Sequence, residues 1–175
     1  MKFLIINASP NKRGMTSKFC RTFAKAAKKV GEVKQFDLHD APPSFCKGSK
    51  PRPKKLSLYQ KETLDCDALF IGTPPYWFSA PSILKAYIED LDPIENDLWK
   101  RPRPLGMCIY APEGGELGVA GPIALAFNHL KFSLVEWGYI FNRGIKKDDS
   151  WSWDDIKGMP KRMERISRAY KMYPD

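Results

Sequence analysis

Short apolar runs alternate along this chain with longer segments in which apolar residues recur every three to four positions. The short runs favour β-branched and aromatic residues, as buried strands do. They predict strands at residues 2–7, 32–38, 68–73, 105–111 and 139–142. The longer segments predict helices at residues 16–30, 56–64 and 160–170, and an almost wholly apolar helix at residues 119–137.

The segment after the third predicted strand carries its own signals. Two prolines follow the strand and prevent its continuation. Pro81 suits the first turn of a helix, and Ser79 is the predicted cap before it. Five strands and five helices in alternation are typical of an α/β domain built as a three-layer, doubly wound, five-stranded parallel sheet.

Length and composition limit the class of protein. A chain of 175 residues fits one domain, covering residues 1–175, that buries its own core. No apolar stretch approaches the length of a membrane span, and no signal-like segment opens the chain, so we expect a cytoplasmic protein. The four cysteines are far apart and form no C-x-x-C pair, so we predict no metal site.

The net charge of +9 indicates an anionic partner. Basic residues concentrate at residues 12–29 and 47–61. The anion is the phosphate of a nucleotide cofactor, an acidic protein or nucleic acid. Nucleic acid is the least favoured of the three, because the sequence contains no nucleic-acid-binding motif and no basic stripe interleaved with aromatic residues.

Three connectors follow the first, third and fourth predicted strands, at the edge where doubly wound sheets bind ligands. The first loop, residues 9–17, offers hydroxyls from Ser9, Thr16 and Ser17 and positive charge from Arg13. Helix N-termini with such groups bind phosphate. The same residues also fit a plain turn and helix cap, and they form neither a G-x-x-x-x-G-K-[ST] nor a G-x-G-x-x-G motif.

The aromatic loop, residues 74–79, places three aromatic side chains in a row after two stiffening prolines. Tyr76, Trp77 and Phe78 either fold back into the core or form a wall that a flat ligand covers. The glycine loop, residues 111–118, adds Gly114 and Gly115, whose backbone can approach a ring edge and stabilise negative charge on it. Together the three loops predict a pocket for a flat phosphorylated ring, and flavin mononucleotide (FMN) fits it.

The stretches NASPNKRGMTSK, GTPPYWFSAPSILKAYIED and APEGGELG resemble the cofactor loops of the NADPH-dependent FMN reductase family, within the flavodoxin-like superfamily. The resemblance implies strand order 2-1-3-4-5, bound FMN and a homodimer or higher homo-oligomer. It also implies hydride transfer from NADPH or NADH to the flavin and then to a small acceptor such as a flavin or quinone. The cofactor-binding residues that it implies are Ser9, Arg13, Met15, Thr16, Ser17, Pro74, Pro75, Tyr76, Trp77, Phe78, Ser79, Glu113, Gly114 and Gly115.

Two alternatives stay open at this point: a flavin-binding electron carrier, and a flavin-free basic binding module with the same fold. No side chain is assigned a catalytic role, because a bound flavin would carry the chemistry itself. His39 and His129 lie on unrelated predicted elements and suit structural roles. The sequence decides neither the acceptor nor the choice between NADPH and NADH.

Overall fold

A computed structural model describes residues 1–45, 48, 51–144 and 150–172 of the chain. The strands are β1 Lys2–Asn7, β2 Glu32–Asp37, β3 Ala68–Thr73, β4 Arg103–Tyr110 and β5 Phe132–Asn142. All neighbouring strands pair in parallel, in the order β2-β1-β3-β4-β5. The predicted flavodoxin-like α/β class and its strand order 2-1-3-4-5 are therefore confirmed.

Helices cover both faces of the sheet. They are α1 Met15–Ala27, α2 Leu58–Asp65, α3 Ser82–Asp90, the single turn α4 Glu95–Leu98, α5 Glu116–His129 and α6 Ser150–Met172. A 3-10 turn, Asp92–Ile94, joins α3 to α4. Helices α1 and α6 pack on one face, and α2, α3 and α5 pack on the other.

The central strand β1 shows how the sequence creates the two cores. Successive side chains of a strand point to opposite faces, so a strand covered on both sides is apolar throughout. Phe3 and Ile5 point towards α1 and α6, whereas Leu4 and Ile6 point towards α2, α3 and α5. All four side chains are buried.

The predicted helix at residues 119–137 is wrong in its second half. Helix α5 ends at His129, Lys131 takes a positive φ of 64°, and β5 begins at Phe132. Apolar residues continue at Leu130, Phe132 and Leu134, and no Gly or Pro marks the change from helical to strand periodicity. Strand β5 is consequently much longer than the predicted 139–142.

The predicted starts of two helices also need correction. Ser79 does not cap α3, because Pro81 is the N-cap residue and the helix begins at Ser82. Pro160 does not begin the last helix but lies inside α6. Tertiary structure overrides the local cap signal at Ser79, because Ser79 forms backbone hydrogen bonds with Tyr76 in a turn.

At the amino-terminal edge of the sheet, Arg103 satisfies several backbone carbonyls. Its guanidinium is buried and donates hydrogen bonds to the carbonyl oxygens of Cys66, Leu98 and Leu64 at 3.1, 3.1 and 3.2 Å. Burial lowers the pKa of Arg103 to about 10, so the side chain stays charged at neutral pH. This edge is therefore closed by internal hydrogen bonds, unlike the carboxyl-terminal edge.

Candidate functional site

The first loop is held in shape by Asn7, the last residue of β1. The Asn7 side chain is fully buried. Its amide nitrogen donates to Ser17 Oγ at 2.9 Å and to Asp37 Oδ1 at 2.8 Å, and its Oδ1 accepts from the backbone nitrogen of Ser9 at 3.1 Å. One side chain thus fixes both ends of the loop to the neighbouring strand β2.

Two of the predicted phosphate ligands take part in this internal network. Ser17 Oγ donates to the carbonyl oxygen of Asn11 at 2.8 Å, in addition to accepting from Asn7. Ser9 Oγ accepts from the backbone nitrogen of Asn11 at 3.2 Å. The Ser17 hydroxyl therefore stabilises the loop, whereas the Ser9 hydroxyl proton stays available to a ligand.

Other groups of the first loop have no hydrogen-bond partner among the described residues, although Thr16 itself is largely buried. Gly14 is the N-cap of α1 and supplies no capping side chain, so the first amides of the helix keep their hydrogen-bonding capacity. Within the described part of the chain, the Thr16 hydroxyl and the Arg13 guanidinium make no hydrogen bond or ion pair. Lys12, by contrast, is paired with Asp40 at 2.6 Å. A helix N-terminus with these free donors suits a phosphate dianion.

The aromatic loop closes through a two-residue turn. The backbone nitrogen of Tyr76 donates to the carbonyl of Ser79 at 2.9 Å, and that of Ser79 donates to the carbonyl of Tyr76 at 3.0 Å. Between them, Trp77 and Phe78 take positive φ angles of 47° and 59°. Turns of this kind normally use Asn and Gly, so two bulky aromatic residues here store backbone strain.

The three aromatic side chains do not fold back into the core. Trp77 is 96% exposed, Phe78 66% and Tyr76 47%. Exposure of so much aromatic surface is unfavourable in water unless a ligand or a partner covers it. Backbone strain and apolar exposure thus coincide in one turn, a combination found at ligand sites.

Two glycines of the glycine loop leave room for this turn. Gly115, at φ 88°, is the N-cap of α5, and Gly118 lies in the first turn of that helix. A Cβ on Gly118 would lie 2.2 Å from the carbonyl oxygen of Phe78, and one on Gly115 would lie 2.9 Å from the Phe78 Cα. Only glycine at these positions lets α5 approach the aromatic loop this closely.

A cleft of about 550 Å³ lies between the aromatic loop and the glycine loop. Its lining residues are Pro75, Tyr76, Trp77, Phe78, Pro112, Glu113 and Gly114. Six of the predicted cofactor-binding residues therefore line one cavity, and Gly115 supports its wall. Pro74 and Ser79 belong to the same loop but do not line the cleft.

The first loop forms a separate cradle beside this cleft. Strands β1 and β3 are neighbours, and the backbone nitrogen of Ala8 donates to the carbonyl of Gly72 at 2.8 Å.

The predicted residue Met15 differs from the rest of this loop, because its side chain packs against the core under α1 and α6. The predicted ligand Gly114 also differs in one respect, since its N–H is bonded to the carbonyl of Ala111 at 3.1 Å. The backbone N–H of Gly115, by contrast, forms no hydrogen bond among the described residues.

Sequence reasoning missed an ion pair behind the glycine loop, between the buried Glu116 and the exposed Arg143. Glu116 is buried in the first turn of α5, and both Arg143 Nε, at 2.9 Å, and Arg143 Nη2 donate to its Oε1. The Arg143 hydrogen bond lowers the pKa of Glu116. The Tyr139 hydroxyl and Glu116 Oε2 are buried without a hydrogen-bond partner among the described residues. The pair fastens the glycine loop to the end of β5.

Two features are absent from the residues that the structure describes. Among the residues that the structure describes, no three His, Cys, Asp or Glu side chains gather as metal ligands. In the same residues, no helix combines the length and the apolar character that crossing a bilayer requires. Cys46, one of the four cysteines from which the sequence predicts no metal site, lies outside the described residues.

Comparisons with known proteins were made for the sequence and for the fold. Residues 1–91 match a family model described as having a flavodoxin-like fold. No curated protein matches the sequence. Many solved structures share the fold, and three of them are described next.

RosB with a bound 8-demethyl-8-formylriboflavin-5'-phosphate intermediate is similar at a TM-score of 0.80 and 15% identity, over 100% of this chain and 82% of that one. A flavone reductase is similar at a TM-score of 0.79 and 12% identity. The match covers 98% of this chain and 64% of the flavone reductase, so this chain spans less than two thirds of that protein. An FMN-dependent NADH-azoreductase from Bacillus anthracis, in complex with FMN, is similar at a TM-score of 0.66 and 13% identity. The match covers 93% of this chain and 99% of the azoreductase. Identities this low establish a shared fold and nothing further.

Proposed function

Because the chain belongs to the family with the flavodoxin-like fold, we propose that it is an FMN-binding oxidoreductase. The proposed reaction takes electrons from NADPH or NADH and passes them to a small acceptor, such as a flavin or quinone. One observation carries the proposal: an open anion cradle lies beside a cleft whose wall is a strained, exposed aromatic turn. A ligand with a phosphate at one end and a flat ring at the other uses both features.

The first loop suits the phosphate of FMN in charge and in hydrogen bonding. The amides at the start of α1 and the Thr16 hydroxyl supply donors, and Arg13 supplies positive charge. Asn7 holds these groups in place before any ligand arrives, so little conformational entropy is lost on binding.

The cleft suits the ring system. The Tyr76–Phe78 rim offers flat apolar surface to a ring. The unbonded N–H of Gly115, at the N-cap of α5 behind the cleft wall, would be a donor for negative charge that develops on a reduced flavin. When bound, FMN would supply the hydride chemistry, and the protein would orient the ring and limit the access of water. The names of two structural neighbours, RosB with a riboflavin phosphate and the azoreductase with FMN, support this choice of ligand.

We propose that the protein forms a homodimer through helix α5. Helix α5 exposes Leu117 and Leu125, each 74% accessible, on a surface continuous with the aromatic loop through Gly118. Exposed leucines two turns apart on an apolar helix are typical of an interface. A second copy on this surface would also shelter Trp77 and Phe78.

Anaerobic reduction of the FMN-loaded protein tests the proposal. We expect visible absorbance from bound FMN, and we expect NADPH or NADH to bleach it within seconds to minutes. Trp77→Ala should slow bleaching and weaken FMN binding, whereas Trp151→Ala, which removes a half-exposed tryptophan of α6, should change neither. Failure to retain FMN would contradict the site. Retention without bleaching by either nucleotide would contradict the reductase assignment and favour an electron carrier.

A further inference from the structure

A second charged surface lies away from the proposed cofactor site, between α1 and α6. Both helices pack on the same face of the sheet, and their outer surfaces enclose a groove of about 410 Å³. Lysines form its rims: Lys25 and Lys29 from α1, Lys157 and Lys161 from α6. Its floor consists of Thr22, Ala26 and Val30. We call this surface the basic groove.

The lysines of the basic groove are largely without counterions. Lys157 is paired with Asp154 at 3.0 Å, an interaction between neighbours on one helix. Lys25, Lys29 and Lys161 form no ion pair with any residue that the structure describes. None of the described residues that line the groove is acidic. Four ammonium groups around one groove create a positive potential that favours an anionic occupant.

The positive surface continues along α1 towards the carboxyl edge of the sheet. Lys18 lies two turns before Lys25 on the same helix, and its Nζ lies 5.0 Å from the centre of the Trp153 ring on α6. The cation–π contact keeps the Lys18 ammonium between the two helices. The basic groove is therefore an extended stripe rather than a single point of charge.

The floor distinguishes between classes of anion. Ala26 and Val30 are only partly buried, so they leave apolar surface between the two charged rims. A nucleic acid backbone would neutralise the rims but leave this apolar floor in contact with water. An acidic amphipathic segment satisfies both features, with carboxylates on the lysines and apolar side chains on the floor.

We propose that the basic groove binds an acidic amphipathic segment of a partner protein. The inference does not depend on the proposed function, because no residue of the three cofactor loops lines the groove. The surface also offers a protein electron donor or acceptor a place to dock without occupying the cleft.

The test uses the full-length protein and a fluorescein-labelled, 14-residue Glu/Leu peptide whose leucines share one helical face. A scrambled peptide of the same composition removes the apolar face, and a DNA oligonucleotide of equal charge represents nucleic acid. Binding is followed by fluorescence anisotropy at low and high salt. We expect the amphipathic peptide to bind at least about tenfold more tightly than either competitor, and to weaken with salt.

Charge-reversal variants locate the site. Lys25→Glu/Lys161→Glu should reduce peptide affinity about tenfold or more, because two attractive pairs become repulsive. Lys54→Glu/Lys61→Glu changes the net charge equally at exposed lysines outside the groove and should have little effect. Both double variants should retain wild-type FMN binding and thermal unfolding, so failure here is distinct from failure of the cofactor proposal. Equal losses in both variants, equal binding of the scrambled peptide, or tighter binding of the oligonucleotide would overturn the inference.

Discussion

In the first loop, the buried side chain of Asn7 satisfies three polar partners, while the Thr16 hydroxyl and the Arg13 guanidinium form no hydrogen bond among the described residues. In the aromatic loop, two bulky residues occupy left-handed backbone conformations and expose their rings. The first loop is thus preorganised without strain, whereas the aromatic loop retains strain and exposed apolar surface. We infer that the first loop anchors the ligand and that the aromatic loop gains stability when the ligand binds.

Asn7→Ala should have the largest effect, because it disrupts the preorganised loop itself. The variant leaves Asp37, Ser17 and the Ser9 amide without their shared partner. We expect the free energy of unfolding to fall by about 3 kcal/mol, measured by urea denaturation, and FMN affinity to fall with it. Asn128→Ala, on the exposed side of α5, is the matched control and should lie within about 0.5 kcal/mol of wild type. An unchanged denaturation midpoint for Asn7→Ala would refute the anchoring role.

Gly118→Ala tests the seat of the aromatic loop. A methyl group there would collide with the Phe78 carbonyl, so we expect stability to fall by about 2 kcal/mol and the rim to shift. Gly121→Ala, on the same helix with no atom within 4 Å of the new Cβ, should instead gain up to about 1 kcal/mol from helix propensity. Effects of the same sign in thermal unfolding of both variants would show that the contact with Phe78 is unimportant.

Thr16→Ala removes an open donor from the first loop while leaving its internal network intact. We expect FMN affinity to fall about tenfold in an equilibrium titration, about 1.4 kcal/mol. Thr16→Ser keeps the hydroxyl and should retain most of the affinity, and Thr22→Ala alters the same helix away from its N-terminus. If Thr16→Ser binds FMN as weakly as Thr16→Ala does, the hydroxyl is not the ligand.

Trp77→Gly separates strain from stacking in the aromatic loop and should have the smallest effect on stability. Glycine adopts the φ of 47° without penalty, so the free energy of unfolding should rise by up to about 1 kcal/mol. Trp77→Ala keeps the Cβ and should show no such gain. Both variants should lose FMN affinity to a similar extent. A loss of stability in Trp77→Gly would mean that the exposed ring makes contacts this account omits.

The sequence predicted the sheet well because its signals were strong and local. Buried parallel strands are short apolar runs between polar segments, and Lys2–Asn7 and Ala68–Thr73 were placed correctly to the residue. The sequence also marked the three loops at the carboxyl edge, since prolines, glycines and hydroxyl residues follow strands there.

The errors had physical causes. Residues 130–137 looked helical because apolar residues continue past α5 at Phe132, Leu134 and Val135, and neither Gly nor Pro lies between the helix and the strand. The charge of Arg103 indicates an exposed loop residue, but Arg103 is the buried first residue of β4. Backbone carbonyl oxygens, such as that of Cys66, accept its hydrogen bonds and make this burial possible.

Site residues that act through others were harder to find. Asn7 was visible only as a polar residue ending an apolar strand, and its partner Asp37 is distant in sequence. The sequence placed Gly118 in the glycine loop but did not indicate its particular role, because that role depends on the position of Phe78 in three dimensions. Residues that would touch a ligand were predicted from their chemistry, whereas residues that position them required the fold.

The most direct test of the central claim compares the equilibrium affinities of FMN and riboflavin, measured by flavin fluorescence quenching. The two ligands share the ring and differ in the phosphate. If the first loop binds a phosphate dianion, FMN should bind at least about thirtyfold more tightly than riboflavin, and Thr16→Ala should weaken FMN but not riboflavin. Equal affinity for the two ligands, or no measurable binding of either, would contradict the account.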